Sequence, residues 1–316
     1  MRRLLALFIL LPALGCSLPA LAWNAAGHRL VAVIAWQQLS ASSRQLVSAA
    51  LAAHPDYRRW REKAGGQSEA AIFAEAATWA DSIRNDPRYY DDNSDAPTPL
   101  LAGRYDSRRH RRWHYVDFDA AGRPVKGELD RRIERLEQII GTTREPTEIT
   151  YALPWLLHLV GDLHQPLHTG NAADDGGLNQ MIENPFKRGK SAVSLHTYWD
   201  DLPGPSSLRG RRLQRAAARL MAEHRPPAQG NVDLWREESR RLRQQAYPPG
   251  NRAGPPVIDQ KFAQNTRTIA ERRLAEAGYR LGRLIETRLH QRVSRETGDQ
   301  ESGISSVTAA SLRKNY

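Results

Sequence analysis

Apolar residues recur every three or four positions through most of this chain. That period predicts helices over 26–39, 42–53, 68–84, 127–140, 147–165, 208–223, 230–246 and 258–291. Ser40–Ser43 and Thr147 supply helix starts, and Pro248-Pro249-Gly250 with Pro255-Pro256 punctuates the approach to the last helix. Two-residue alternation is confined to short stretches near 113–118 and 180–195, and no repeat of fixed period exists. The expectation is a mainly α, single helical domain with a few short strands. Two segments leave the pattern: Asp86–Arg112 reads as a long surface loop, and the polar stretch 294–316 as a C-terminal tail, frayed or disordered.

Residues 1–22 form a different pattern. Arg2 and Arg3 precede an apolar run from Leu4 to Leu14, and Ala20-Leu21-Ala22 closes it as an A-x-A cleavage site. This predicts a secretory signal removed after Ala22, a secreted or periplasmic protein, and a mature domain over 23–293. Later apolar stretches fall short of the ~20 residues a membrane span needs. Cleavage would leave Trp23 with a free α-amino group five residues before His28. Such an amine titrates near pKa ~7.7–8.0 and can bind a metal at neutral pH.

Composition narrows the chemistry. The sole cysteine, Cys16, lies in the signal, so the mature chain has neither a disulfide nor a thiolate ligand. Loss of Arg2 and Arg3 lowers the formal charge from +11 to +9, which suits a polyanionic partner such as nucleic acid. Much of that charge sits in 208–224 and 235–245, which read equally well as solvated helix faces.

The candidate chemistry lies in histidines and aspartates. His158 and Asp162 are four apart, and His196 and Asp200 repeat the spacing, which places each pair on one helix face. His168 follows Gln165-Pro166, where proline turns the chain back toward the helix end. His114 sits in Trp113-His114-Tyr115, and Asp81 in Thr78-Trp79-Ala80-Asp81. His158 and Asp162 are surrounded by leucine and valine, so their burial is expensive unless they are paired or coordinated. One His–Asp pair would answer that need once. Two such pairs together with His28, Asp81, His114 and His168 point instead to metal ions, and imidazole with carboxylate suits hydrolytic Zn²⁺.

The string from Leu156 to His168, LLHLVGDLHQPLH, resembles the signature of the zinc-dependent single-strand nucleases of the mould S-one/P-one type, distant relatives of bacterial zinc phospholipases C. Trp23 with Gly27-His28, Thr78–Asp81, Trp113–Tyr115, Leu195–Asp200 and the Arg273–Leu281 stretch match that family in order, over nearly the whole mature chain. The resemblance implies three zinc ions. Asp81, His114 and His158 would hold one, the Trp23 amine and carbonyl with His28 another, and Asp162 would bridge the two. His168, His196 and Asp200 would hold the third. It further implies Arg84, with Asp81, as catalytic, and Tyr115, Asp117 and Asn179 as substrate contacts. The chain departs from the family at Gly176-Gly177-Leu178-Asn179, which has one extra residue, and at Ser194, where an Asn is usual. His164 is not a family ligand.

The implied activity is a secreted zinc endonuclease acting as a monomer on single-stranded DNA and RNA. Its products carry 5′-phosphates, and 3′-nucleotidase activity accompanies it. The rival enzyme is a zinc phospholipase C, a branch that usually carries Glu at the position of Asp200. A non-catalytic zinc- or nucleic-acid-binding protein is the rival of a different class.

Overall fold

The computed structural model describes residues 23–312, apart from 67, 92, 101, 102, 104, 188–191 and 250–253. The expected signal and its cleavage point lie outside the described residues. The helices are α1 (Ala25–Gln37), α2 (Ala41–Ala52), α3 (Tyr57–Lys63), α4 (Glu69–Ala76), α5 (Trp79–Ser82), α6 (Leu129–Thr142), α7 (Pro146–Leu163), α8 (Leu195–Asp200), α9 (Gly210–Glu223), α10 (Val232–Ala246) and α11 (Gln260–Leu312). Two antiparallel hairpins complete the mainly α fold: β1 (Val116–Phe118) with β2 (Pro124–Gly127), and β3 (Met181–Glu183) with β4 (Ala192–Ser194). Among the described residues, no helix is long and apolar enough to cross a membrane.

Two helices occupy the centre. α7 is buried on every side from Ile149 to Leu163, and α1 from Ala26 to Ala35. All-round burial explains why their apolar residues form no single stripe. The outer helices are amphipathic. α6 buries Leu129, Ile133, Leu136 and Ile140, and α10 buries Val232, Trp235, Ser239, Leu242 and Ala246, at steps of three and four. Side-chain caps start several helices: Asn24 accepts from Ala26 N and Gly27 N, Ser40 from Ser43 N, Ser194 from Thr197 N, and Asn231 from Leu234 N.

α11 packs along α1 because Gly278 leaves room for it; a Cβ there would lie 2.5 Å from Ile34 Cβ. A buried polar seam joins α11 to α10 and to the end of α7. Arg280 donates to His164 Nε2 at 3.1 Å and to Glu238, while Arg273 donates to the His164 carbonyl, to Ser239 and to Glu238. His164 is therefore a structural residue of this seam, held by Val160 O on its other nitrogen.

Three elements differ from expectation. The helix predicted over 68–84 divides into α4, α5 and a 3₁₀ turn at Ile83–Asn85. α3 was not anticipated as a helix, since it buries only Trp60 and so carries no apolar stripe. α11 runs on to Leu312, past the polar boundary at 294. The Asp86–Arg112 loop is stapled by ion pairs, with Arg88 on Asp56 and Asp86, Arg109 on Asp95 and Arg111 on Asp91.

Candidate metal centre

The candidate ligands come from six separate places in the chain. α1 carries His28, α5 carries Asp81, the 3₁₀ turn Arg111–His114 ends in His114, α7 carries His158 and Asp162, the 3₁₀ turn Pro166–Thr169 carries His168, and α8 carries His196 and Asp200. The fold brings them together. His28, Asp81 and His158 form one close group of potential ligand atoms, His114, His158 and Asp162 a second sharing His158, and His168, His196 and Asp200 a third. All but the partly exposed Asp81 are buried.

In the shared group, Asp162 Oδ2 lies 3.1 Å from His114 Nδ1 and 3.3 Å from His158 Nε2, while its Oδ1 is 3.4 Å from His28 Nε2. Asp81 Oδ1 is 3.7 Å from His158 Nε2, and its Oδ2 is 4.0 Å from His28 Nε2. In the third group, Asp200 Oδ2 is 3.6 Å from His196 Nε2. The helix break after α4 has a local use here: the Ala77 carbonyl accepts a hydrogen bond from His158 Nδ1 at 2.9 Å.

These residues fit a metal on their own geometry. His168 gives Nδ1–H to the His114 carbonyl, and His196 gives Nδ1–H to the Gly176 carbonyl. Their Nε2 atoms, left as lone pairs, then face each other at 3.2 Å. Two lone pairs repel at that distance unless a cation lies between them. His158 Nε2, whose ring partner is likewise committed to a carbonyl, faces His114 Nδ1 at 3.2 Å. Both ring nitrogens of His28, Nε2 of His114 and Oδ1 of Asp162 are buried without a hydrogen-bond partner. Native interiors leave few such atoms unsatisfied.

Electrostatics agree. Burial, with the neighbouring imidazoles, holds His28 and His168 well below the ordinary histidine range; burial with nearby Arg84 does the same for His114. All three are thus neutral at pH 7 with a lone pair free, the form that binds metals. Burial opposes charge on His158, but the Asp162 and Asp81 carboxylates outweigh it and raise that imidazole. Burial pushes the Asp162 carboxyl up to about 6 and lifts Asp200 well above the usual carboxylate range, the latter against a 3.0 Å hydrogen bond from Gln165. Dry carboxylates of this kind need cations.

Trp23 is fully buried at the entrance to α1, next to this centre: the adjacent Asn24 N donates to the Asp200 carbonyl at 3.0 Å. Its position depends on Gly27, where a Cβ would fall 2.6 Å from Trp23 Cβ. Arg84, only 5% exposed, places Nη2 3.0 Å from Asp81 Oδ1 and leaves Nε without a partner. Asp117 lies against the loop that follows His168, and a Cβ on Gly170 would sit 2.9 Å from its Oδ1. That oxygen is buried without a hydrogen-bond partner, and burial raises the carboxyl to about 7. Tyr115 is half-buried at the edge of β1. Asn179 is exposed, with its amide on Asp175 at 2.9 Å.

The pattern of residue types passed over several working groups. The carbonyls of Ala77, His114 and Gly176 orient three imidazoles, and a carbonyl leaves no mark in sequence. Gln165, inside the Gln-Pro turn, caps that turn at Leu167 N and steadies Asp200. Its place between two ligand runs was the one available signal.

The family model for S1/P1 nuclease matches residues 23–290. The chain belongs to the S1/P1 nuclease family. The match opens on Trp23 and covers every candidate ligand. Among curated relatives, Endonuclease 4 of Arabidopsis thaliana is 31% identical over 151 residues, 42% of this chain and 48% of that protein. Nuclease S1 of Aspergillus oryzae is 26% identical over 186 residues, 56% of this chain and 53% of its own. Endonuclease 1 of Arabidopsis thaliana is 29% identical over 191 residues, 58% and 55% respectively. The chain thus spans about half the length of the curated relatives it matches.

Proposed function

We propose that this S1/P1-family chain is a secreted or periplasmic endonuclease that uses three zinc ions to hydrolyse phosphodiester bonds of single-stranded DNA and RNA, leaving 5′-phosphates, with 3′-nucleotidase activity. The observation that carries the reading is the pair of facing Nε2 lone pairs of His168 and His196, set beside the buried His28–Asp81–His114–His158–Asp162 group. Asp81, His114 and His158 would hold one ion, the Trp23 amine and carbonyl with His28 another, Asp162 would bridge them, and His168, His196 and Asp200 would hold the third. Bound zinc lowers the pKa of water and neutralises phosphate charge.

The chain's own residues do the rest. Hydrolysis joins a water oxygen to phosphorus and breaks the bond to the 3′ oxygen, which leaves with a proton. Arg84, desolvated and aimed by Asp81, would meet the charge that grows on the phosphoryl oxygens. Tyr115 would stack on the base beside the cut bond, which contributes ~1–3 kcal/mol without demanding a sequence. Asp117 and Asn179 would offer polar contacts to the base edge. The basic composition supports a polyanionic substrate, and membership of a nuclease family favours this reading over a zinc phospholipase C. The test is a cleavage assay on matched single- and double-stranded DNA and on RNA, with end analysis of the products. Faster cleavage of the single strands to 5′-phosphate ends, abolished by EDTA, is expected. Release of diacylglycerol from lecithin without cleavage of nucleic acid would overturn the reading.

A further inference from the structure

A second cluster of imidazole and carboxylate lies where α9 ends against α11, and it shares no residue with the metal centre. Glu223, the last residue of α9, His224, which follows it, and Glu271 on α11 each bring one potential ligand atom within 4.8 Å of the other two. Glu223 is exposed, and His224 and Glu271 are half-buried. The backbone fixes their places. His224 N donates to the Leu220 carbonyl at 2.9 Å, so the residue past the helix stays tied to its last turn. Tyr279 donates its hydroxyl to the Met221 carbonyl at 3.3 Å, and Arg283 donates to the Pro227 carbonyl at 2.9 Å, which holds the end of α9 and the chain beyond it on α11. Arg219, one turn earlier, reaches both carboxylates, Glu223 at 2.6 Å and Glu271 at 2.8 Å. Each bond takes one oxygen, and the other oxygen of each carboxylate has no hydrogen bond among the described residues. The His224 ring has neither a hydrogen bond nor an ion pair among them, although it stands beside two acids.

One guanidinium cannot balance two carboxylates, so the cluster keeps a net negative charge. It also sits at the C-terminus of a 14-residue helix, where the backbone dipole favours a cation. Imidazole together with carboxylate suits a first-row ion such as Zn²⁺, whereas Mg²⁺ and Ca²⁺ seek oxygen alone. Zinc takes nitrogen and carboxylate oxygen at ~2.0–2.2 Å, so tetrahedral donors on one ion stand about 3.4 Å apart. Rotation of the exposed Glu223 side chain closes the cluster to that spacing without moving either helix. We propose that Glu223, His224 and Glu271 form a further, exchangeable zinc site that clamps α9 to α11, with water completing the coordination. Three protein donors at a wet surface, two of them shared with Arg219, hold the ion less firmly than the buried centre does. The site therefore fills only while free zinc is present, and the α9–α11 contact tightens with the zinc around it. The proposal does not depend on the nuclease reading.

The probe is zinc alone. Equilibrium dialysis followed by elemental analysis gives zinc per chain for the zinc-loaded wild type, His224→Gln and Glu223→Gln, at free zinc that only just saturates the buried centre and at a large excess. Both variants alter side chains at the surface, and the Arg219–Glu223 pair within one helix contributes little, so at the lower zinc level both should keep the wild-type count and thermal midpoint. At the higher level the wild type should take up one equivalent more and each variant none. Over the same step the wild-type thermal midpoint should rise by about 2–4 °C, with the variants unmoved. A wild type that gains no ion in excess zinc, or an extra ion that persists in both variants, would overturn the proposal. Because the readout is the difference between wild type and variants, it stands whatever the centre itself holds or cleaves.

Discussion

Arg84 and Asp117 are the two residues at this centre whose proposed roles differ most from those of the candidate ligands around them. Arg84 is a buried guanidinium beside one carboxylate, with a nitrogen still unpartnered. If it meets charge that exists only in the transition state, Arg84→Ala should lower kcat by about 10²-fold or more while zinc per chain stays at the wild-type value. Unchanged kcat would remove it from the chemistry. Asp117 is a carboxyl that burial raises to about 7 from an unfolded value near ~3.9. Between those pH values the folded chain keeps a proton that the unfolded chain has lost, so this group's contribution to stability falls as pH rises and levels off above about 7. Asp117→Asn should therefore gain thermal stability over wild type increasingly from pH ~4 to ~7, with a constant difference above; a gap independent of pH would contradict the assignment. The candidate side-chain ligands were legible one residue at a time because metals demand particular donors, and because spacing of four or a proline turn aims them. The orienting carbonyls were not, since every residue has one.

At the scale of elements, the 3.6-residue period located the amphipathic helices α2, α6, α9 and α10 to within a few residues because each buries a face. It failed where burial gives no period. Ala77-Thr78 continues an apolar helical pattern, yet the chain breaks there, and Ala77 O accepts His158 Nδ1–H. α8 has only six residues, too few to show a period, and the Arg273–Arg280–Glu238–His164 seam pairs charges that look solvated in a linear reading. The close approach of α1 and α11 is equally hidden. Gly278→Ala would press a methyl into Ile34 and force α1 and α11 apart, with an expected loss of about 1–3 kcal/mol. Urea denaturation checks this: a lower midpoint at constant slope is expected, and an unchanged midpoint would mean that the two helices separate without cost.

Across the whole molecule, α1 and α7 form a buried frame that carries His28, His158 and Asp162, and Asp81, His114 and His168 sit on short elements packed against α7. A chain whose only cysteine lies in the expected signal has no disulfide to stiffen such a frame once that segment is removed, so bound metal adds directly to folding free energy. The mainly α architecture and the set of converging residues were readable because the ligand runs are short and local. How the runs meet was not, since Asp81, His114, His158 and His196 are joined only by tertiary packing. A chain beginning at Trp23 would complete the proposed trinuclear zinc centre. Metal analysis of the exported protein, with its first residue read by N-terminal sequencing, decides this. Trp23 at the N-terminus and three zinc ions per chain are expected; a zinc-free active enzyme, or three zinc ions bound while other residues still precede Trp23, would rule it out.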